Sequence, residues 1–417
     1  MTQDNLGRRD FLKAAGAGLM MIRPELVRGA QANSAVRLGL LGCGGRGTTV
    51  ATGMVKNAGA RLVALGDLFE DQLTKAKAHF DPLGPVDSSL LFTGPHAYEK
   101  MASSKEIDAI YIATPPYYHP EHLAAVVAAG KHVYCEKPVG VDVSSARRVI
   151  EIGKKAEGRL SLDVGFQIRS APPFVELARR IHSGALGEIT SGDAHYFASF
   201  ADRPSWPGVS PATERLRNWI WDRVLSGDIL VEQNIHVIDI YNWMLEGHPV
   251  KAFGIGGRKG RTDPGNAYSH YNVVLTYPRA VHVSFASTQF GNGYFDVAGK
   301  FFGTDGVSEV SYAGRLGIFG GQNAWDYNAG GGQTGGGFSA TGSFGDNLAQ
   351  ADPEKQRGWI ESITSGKFHN QAAQGAESAL SAMLGRMAAY TGREVTWDEL
   401  LRSNEHWDAG INLEKLG

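Results

Sequence analysis

Apolar and polar positions follow two different patterns along the chain, and the change comes near Gly165. Before it, short apolar runs alternate with segments of helical period, which is typical of βαβ units around a parallel sheet. We predict strands at 36–41, 61–67, 107–113, 131–135 and 162–165, and helices at 48–56, 69–80, 119–129 and 144–157. The first part of the chain is therefore predicted to be a doubly wound α/β domain, residues 33–165.

Beyond Gly165, several short strands follow one another without helices between them, which favours an antiparallel sheet. We predict strands at 187–200, 250–256, 268–277, 281–290, 294–302 and 307–312, and helices at 172–183, 229–245, 353–365 and 376–391. Glycine is abundant in 314–347 without a collagen period, so a long loop or arm is predicted there. Residues 166–417 are expected to form a second domain, which ends in the helical region 353–391.

The first predicted strand runs directly into Gly42-x-Gly44-x-x-Gly47, and a predicted helix follows. In the dinucleotide fingerprint the first glycine allows the tight turn, the second lets a pyrophosphate approach the backbone, and the third lets the helix pack on the strand. The second predicted strand ends at Asp67, about twenty residues further on, where a carboxylate can accept hydrogen bonds from ribose hydroxyls. Because that charge repels a 2′-phosphate, NAD is favoured over NADP. The alternative is an ordinary glycine turn and a surface aspartate.

Composition narrows the function further. The 417 residues include 41 basic and 43 acidic ones, so the net charge of −2 gives no electrostatic footprint for nucleic acid or an anionic membrane. The two cysteines, Cys43 and Cys135, are predicted at strand ends two positions apart in one sheet, roughly 9–10 Å from each other. That exceeds the Cα separation of about 7 Å that a disulfide tolerates, so we expect two free, buried thiols.

The first residues carry features of an export signal. Arg8-Arg9-Asp10-Phe11-Leu12-Lys13 resembles the twin-arginine motif, and the apolar stretch at 14–22 is too short to span a bilayer. Ala30-Gln31-Ala32 offers a cleavage site. We therefore predict that 1–32 is a signal peptide and that the mature protein is periplasmic or otherwise exported. A basic disordered tail is the alternative.

Several motifs occur in a fixed order after the signal. They are Gly42-x-Gly44-x-x-Gly47, Ala113-Thr114-Pro115-Pro116 with His119, Ala129-Gly130-Lys131-His132-Val133, Glu136-Lys137-Pro138, Gly165-Phe166-Gln167, and His236-x-x-Asp239. This ordered set resembles the glucose–fructose oxidoreductase / inositol dehydrogenase (Gfo/Idh/MocA) family. The resemblance implies an amino-terminal Rossmann domain and a carboxyl-terminal α/β domain with an open, mostly antiparallel sheet for substrate binding and oligomerisation. It also implies a nicotinamide cofactor, a sugar, polyol or similar substrate, and a homo-oligomer, a dimer or a tetramer. Some exported members hold their cofactor through the reaction, so tightly bound NAD is expected.

Lys137 is the first catalytic candidate, because it follows a predicted strand and should lie at the carboxyl edge of the sheet, where ligands bind. A lysine desolvated beside a cationic nicotinamide ring can act as a base, or it can donate a hydrogen bond to the reacting oxygen. The alternative is a solvated surface lysine. The resemblance further implies that the bond before Pro138 is often cis.

His236 is the second candidate. If 229–245 is one helix, Glu232 and Asp239 share its face with His236, and three polar groups there are costly to bury unless they line a site. The resemblance places a histidine near the reacting hydroxyl. Many relatives have aspartate where Glu232 stands, so either this longer carboxylate orients the substrate or His236, or the proton relay is rearranged. A hydrogen-bonded core histidine is the alternative.

The remaining site candidates are weaker. For the cofactor they are Thr114, Pro115, His119 and Glu136, beside the three glycines, Asp67 and Lys137. For the substrate they are Arg169, Asp239 and Trp219. His119 and His122 lack a third ligand, so no metal site is predicted.

These residues support one leading hypothesis, oxidation of a sugar or glycoside hydroxyl by NAD, with C3 as the expected position. The first alternative is a redox-neutral, NAD-dependent glycosidase that oxidises, eliminates, hydrates and then returns the hydride. A catalytically silent sugar-binding protein is the third hypothesis, and the presence of Lys137 and His236 argues against it.

Overall fold

Two β-sheets carry the fold of the residues that the computed structural model describes, which are 35–199, 203–290, 293–328, 341–342 and 344–416. The predicted signal peptide, 1–32, lies outside the described residues. From Val36 onward the chain clusters as one compact unit by its contacts. No helix within the described residues is long and apolar enough to cross a membrane.

The first sheet is the parallel sheet that the sequence predicts, with six strands in the order β3-β2-β1-β4-β5-β6. Its strands are β1 (Arg37–Leu41), β2 (Arg61–Asp67), β3 (Leu91–Thr93), β4 (Ala109–Ile112), β5 (His132–Cys135) and β6 (Leu162–Val164). The helices are α1 (Gly45–Ala58), α2 (Glu70–Phe80), α3 (Ala97–Ser103), α4 (His119–Ala128) and α5 (Val143–Ala156). The prediction omits β3 and α3, because β3 is a half-buried edge strand of three residues without an apolar run. Cys43 and Cys135 are free and buried, as predicted.

The second sheet is mostly antiparallel, as predicted, and has nine strands in the order β14-β13-β12-β11-β7-β10-β9-β8-β15. Its strands are β7 (Ile189–Phe197), β8 (Lys251–Gly257), β9 (His270–Tyr277), β10 (Val281–Thr288), β11 (Asp296–Gly303), β12 (Val307–Ser311), β13 (Gly317–Phe319), β14 (Trp325–Asp326) and β15 (Val395–Thr396). Strands β7 and β10 pair in parallel. A parallel pair needs a long crossover, and the helical segments between the two strands supply it.

Helices of the second half bridge the two sheets. They are α6 (Pro172–His182), α7 (Pro211–Arg217), α8 (Arg223–Ser226), α9 (Ile229–Glu232), α10 (Ile235–Met244), α11 (Ala351–Ser365), α12 (Ala372–Thr391) and α13 (Trp397–Ser403). Helix α12 is rich in alanine, and its glycines allow close packing against both halves. A Cβ at Gly375 would lie 2.9 Å from Val164 in the first sheet, and one at Gly385 would lie 3.1 Å from Leu230.

Two sequence predictions are wrong in this half. The helix predicted at 229–245 is broken between α9 and α10, because the amide of Asn234 bonds to the carbonyl of Ile229, five residues back, which shifts the helical register. The region 314–347 is not one long loop, since β13 and β14 extend the sheet there. Gly317 permits this pairing, because a Cβ would lie 2.2 Å from the carbonyl oxygen of Trp325. Residues 329–340 and 343 of the predicted loop lie outside the described residues.

Candidate functional site

Each glycine of the motif after β1 has the geometry that a dinucleotide turn requires. Gly42 has φ +98°, which favours glycine, and the turn bonds back to the carbonyl of Gly66. A Cβ at Gly47 would lie 2.0 Å from the carbonyl oxygen of Gly42, so only glycine lets α1 pack this closely. At Gly44 a Cβ would meet nothing within 4 Å, which leaves open space beside the first amides of α1. The turn therefore fits a pyrophosphate at a helix N-terminus.

A cavity of about 330 Å³, here the nucleotide cavity, opens beside this turn. Its wall contains Gly42, Gly44, Asp67, Thr114 and Pro115 from the first half of the chain, together with Phe69, Gln72 and Tyr98. The second half contributes Trp206, Leu216, Arg217, Trp219 and Leu413. Residues from both halves of the chain thus enclose the space where the sequence predicts a dinucleotide.

Asp67 is held rigidly at the end of β2. One carboxylate oxygen accepts the amide of Cys43 at 2.7 Å, and the other accepts the amide of Phe69 at 2.9 Å. Burial raises the pKa of this carboxyl, and the two amides oppose the shift. Because a carboxylate oxygen accepts more than one hydrogen bond, Asp67 can also accept ribose hydroxyls from the nucleotide cavity.

A second cavity of about 160 Å³, here the reaction cavity, adjoins the first. The two share Ala113, Thr114 and Trp219 as lining residues, so Trp219 stands where they meet. The reaction cavity is also lined by Arg46, His119, Glu136, Lys137, Gln167, Tyr196, Glu232, Gln233, His236 and Phe344. A ligand that extends from one cavity into the other passes Thr114 and Trp219.

Lys137, Glu232 and His236 meet in the reaction cavity. The Lys137 ammonium donates to the Glu232 carboxylate at 2.9 Å and to the Glu232 carbonyl at 2.5 Å. Since an ammonium has three N–H donors, one is left for a ligand. The bond between Lys137 and Pro138 is cis, as the resemblance implies.

His236 is buried, and its Nδ1 has no hydrogen-bond partner among the described residues. Burial lowers the pKa of His236 well below its usual value, and the positive charges of Lys137 and Arg46 lower it further. The imidazole is therefore neutral near pH 7, and the residue lines the reaction cavity.

His119 faces the floor of the same cavity, with its two ring nitrogens 2.7 Å from the carbonyl oxygens of Pro138 and Thr114. These carbonyls favour the protonated ring, but burial prevails and lowers the pKa of His119 to about 4. The neighbouring His122 contacts the Thr114 hydroxyl at 2.9 Å. The neutral ring of His119 has a single N–H, so His119 donates to one of the two carbonyls and contacts the other. No cluster of metal-ligating side chains occurs within the described part of the chain.

Glu136, predicted to contact cofactor, belongs to a charge network with Arg46, the residue before Gly47. Its carboxylate accepts from the Arg46 guanidinium at 2.9 Å and from the Tyr111 hydroxyl at 2.9 Å. Arg46 also pairs through two nitrogens with Asp352, each contact at 2.9 Å. Arg46 is not among the residues predicted from the sequence, because its position inside the glycine motif does not reveal partners about 90 and 300 residues away.

Arg169 and Asp239, both predicted to contact substrate, pair with each other instead. The guanidinium meets the two carboxylate oxygens at 2.9 Å each, and Ser378 donates to the same carboxylate at 2.6 Å. Neither residue is part of the lining described for the reaction cavity. The break between α9 and α10 removes the common face predicted for Glu232 and Asp239. Asp239 therefore holds α10 against α12 through its contact with Ser378.

Gln167 and Gln233 are cavity residues that the predicted site omits. Their side chains are nearly inaccessible, at 3% and 7% exposure, and the Oε1 of each has no hydrogen-bond partner among the described residues. Buried acceptors without partners are costly, so they suit a ligand that brings hydroxyl donors. Gln167 stands in a motif that the sequence analysis quotes, whereas nothing in the sequence predicts that the helix break would turn Gln233 into the cavity.

The charges of the reaction cavity are matched within the protein. Lys137 is paired with Glu232, and Arg46 is paired with both Glu136 and Asp352. No cation of this group is left without a carboxylate partner. The cavity therefore suits an uncharged, hydroxyl-rich ligand better than an anionic one.

Two family models match the chain, one over the region of the parallel sheet and one over part of the region of the mostly antiparallel sheet. The family model described as "Oxidoreductase family, NAD-binding Rossmann fold" (GFO_IDH_MocA) matches residues 36–164. The model described as "GFO/IDH/MocA C-terminal domain" matches residues 174–309. Together the two models cover more than half of the chain.

Among curated proteins, the chain is 30% identical over 241 residues to inositol 2-dehydrogenase 4 of Saccharopolyspora erythraea. The matched region covers 56% of this chain and 62% of that protein. It is 26% identical over 204 residues to a glycosyl hydrolase family 109 protein of Solibacter usitatus, covering 46% of each chain. The chain thus spans about three fifths or less of the length of these two relatives.

Among solved structures, the fold is similar to that of levoglucosan dehydrogenase in complex with NADH and levoglucosan. The TM-score is 0.67 at 19% identity, over 87% of this chain and 99% of that one. At this identity the similarity establishes the fold alone.

Proposed function

The chain belongs to the Gfo/Idh/MocA family of oxidoreductases, and we propose that it transfers a hydride from a hydroxyl-bearing carbon of a sugar or polyol to NAD. The observation that carries the proposal is the meeting of Lys137, Glu232 and His236 in a cavity that adjoins the dinucleotide turn. Inositol 2-dehydrogenases are among the relatives, which supports a polyol or sugar as substrate.

The cofactor would be held by the Gly42–Gly47 turn and by Asp67, and its nicotinamide supplies the hydride acceptor. Asp67 favours NAD over NADP, because a fixed carboxylate accepts ribose hydroxyls and repels a phosphate. The Thr114–Pro115 turn and Trp219, which line the passage between the cavities, would orient the nicotinamide portion toward Lys137.

Proton transfer is assigned to His236 and Lys137 together. Oxidation of a carbinol releases a proton from its hydroxyl as hydride leaves the carbon. His236 is the proton acceptor, since its neutral ring lines the reaction cavity beside Lys137. Lys137 turns its third N–H to the substrate oxygen and stabilises the negative charge that develops there. Glu232 fixes the position of Lys137, and Gln167 and Gln233 accept hydrogen bonds from other substrate hydroxyls.

The test combines cofactor binding with turnover on neutral sugars and polyols, beginning with myo-inositol and glucosides. We expect NADH and a keto product, and Lys137→Ala should lower kcat by at least 100-fold while NAD still binds. Lys154→Ala is the matched control, because Lys154 also pairs with a glutamate, at 2.7 Å, but is exposed. Failure of the purified protein to bind a nicotinamide cofactor would contradict the proposal. It would favour the third hypothesis, a sugar-binding protein without catalytic activity.

A redox-neutral glycosidase is the second candidate, favoured by the glycosyl hydrolase family 109 relative. Oxidation at C3 of a glucoside acidifies the neighbouring C–H, and the same hydride later returns to the sugar. Aryl glucosides separate the candidates: a keto-glucoside with net NADH indicates the dehydrogenase, whereas free sugar and phenol without net NADH indicate the glycosidase.

We also propose a homo-oligomer that forms through the open face of the second sheet. Phe253, Ile255 and Val274 lie side by side on β8 and β9 with 51%, 59% and 39% exposure. Exposed apolar side chains grouped in this way are typical of an interface between subunits. Ile255→Glu should convert a dimer or tetramer to smaller species in sedimentation experiments.

Export by the twin-arginine route remains a prediction from residues 1–32. It is tested by sequencing the amino terminus of the protein from its native host. A mature chain that begins near Asn33 would support the prediction, and an intact Met1 in the cytoplasm would contradict it.

A further inference from the structure

Arg217 connects the two halves of the chain at the rim of the nucleotide cavity. It is the last residue of α7, and its guanidinium meets the Asp71 carboxylate at 2.7 and 3.2 Å, in the first turn of α2. Its guanidinium carbon also lies 4.1 Å from the centre of the Phe69 ring and 4.6 Å from that of Trp206. A planar guanidinium between two aromatic rings and against a carboxylate has little freedom to move.

The same residues line the cavity. Phe69, Trp206 and Arg217 all belong to its wall, on the side where Asp67 would receive the adenosine ribose. The Nε of Arg217 and the Nε1 of Trp206 are buried and have no hydrogen-bond partner among the described residues. Neither atom is accessible from the cavity, so the wall meets a ligand through the two rings and the guanidinium rather than through these two donors.

Resting on the proposed binding of NAD, we propose that Phe69, Asp71, Trp206 and Arg217 form a clasp over the adenosine end of the cofactor and slow its release. The first half provides Phe69 and Asp71, and the second half provides Trp206 and Arg217. A cofactor held only by the Rossmann half leaves by passing over the sheet edge. In this chain the clasp must open first, so the release rate depends on residues far from the reacting atoms.

The clasp differs from ordinary packing between domains by its position. Arg37 makes a comparable contact at the opposite end of the first sheet, where its guanidinium meets both oxygens of Asp108 at 2.8 and 3.1 Å. Arg37 is not part of the lining of the nucleotide cavity. A substitution in the Arg37–Asp108 pair therefore shows the effect of losing an ion pair on stability alone. A substitution in the Asp71–Arg217 pair also shows its effect on cofactor release.

The experiment measures NADH release from the full-length protein. NADH-loaded protein is mixed with excess NAD, and the loss of energy transfer from tryptophan to NADH is followed in stopped flow. Asp71→Asn keeps the shape of the side chain and removes its charge, whereas Trp206→Leu removes one ring. Asp71→Asn should accelerate release by roughly 2- to 5-fold and Trp206→Leu by roughly 2- to 30-fold, because such changes act mainly on dissociation.

Arg37→Lys should leave the release rate unchanged, and thermal unfolding of the cofactor-free variants checks that each is folded. Trp206→Leu removes one tryptophan that transfers energy to NADH. Asp71→Asn keeps both Trp206 and Trp219, so its signal is directly comparable with that of the unsubstituted protein. Release from Asp71→Asn and Trp206→Leu at the unaltered rate would overturn the clasp and leave the proposed function intact. Absence of NADH binding to the unsubstituted protein would instead overturn both.

Discussion

Replacing Gly44 by alanine adds one methyl group, which should weaken the binding of NAD without disturbing the fold. Gly44 has φ −73° and ψ −173°, an extended conformation that alanine adopts without strain. The new Cβ would meet no protein atom within 4 Å, yet it would stand in the space beside the first turn of α1, where the pyrophosphate is expected. The substitution should therefore leave the stability of the cofactor-free protein nearly unchanged and lower the affinity for NAD.

The stability of the cofactor-free protein should change by less than about 1 kcal/mol, because alanine lowers the entropy of the unfolded chain but is a poorer N-cap residue than glycine. The complex should lose at least one hydrogen bond from a backbone amide to a charged phosphate, which is worth about 1.5–3 kcal/mol. The affinity for NAD should then fall by about 10- to 150-fold.

The assay compares urea unfolding without cofactor with NADH titration by fluorescence. Gly345→Ala is the matched control, because Gly345 is also extended, with φ −86° and ψ −154°, and its Cβ would meet nothing within 4 Å. The control should show a similarly small change in stability and keep its affinity for NADH. If Gly44→Ala binds NADH as tightly as the unsubstituted protein, the pyrophosphate does not pass this turn, and the assignment of the nucleotide cavity is wrong.

Three further outcomes follow from the charges of the site. Because the pKa of His236 is lowered well below 6.5, kcat should stay constant as the pH falls from 8 through 6.5, and an acid limb at 6.5 would contradict a neutral His236 base. Burial lowers the pKa of His122 to about 3, so its contribution to stability is complete above the unfolded value of 6.5 and is lost as the pH falls below it. His122→Leu should remove a slope of about 1.4 kcal/mol per pH unit from the free energy of unfolding between pH 6 and 4. Asp67→Ser should raise the ratio of NADP to NAD affinity at least tenfold, as measured by titration with each reduced cofactor, and an unchanged ratio would exclude Asp67 from the ribose site.

The parts of the fold that depend on local pattern were predictable. The apolar runs of β1, β2, β4 and β5 are continuous because both faces of a parallel strand are buried, so they stand out from the amphipathic helices between them. Gly47 was predictable for a similar reason, since its close approach to the carbonyl oxygen of Gly42 lies within one strand–turn–helix unit.

The errors arose where long-range contacts decide the local structure. The stretch 229–245 is apolar enough to predict one helix, but the register shift at Asn234 ends the first segment and turns Gln233 into the cavity. Arg169 and Asp239 are suitable sugar ligands by residue type. Their use as a structural pair follows from the packing of α10 on α12, about 140 residues further along, as the Ser378 contact shows.

The pairs that define the site are therefore those between the halves. Of the ion pairs that cross between the halves within the described residues, three border the two cavities, namely Arg46–Asp352, Lys137–Glu232 and Asp71–Arg217. The first holds the glycine turn, the second fixes the position of Lys137, and the third stands at the rim of the nucleotide cavity. Any ligand that draws the halves together strengthens the contacts that the other ligand needs, and this coupling is reciprocal by thermodynamic necessity. NAD should thus tighten the binding of a sugar by the same factor as the sugar tightens the binding of NAD.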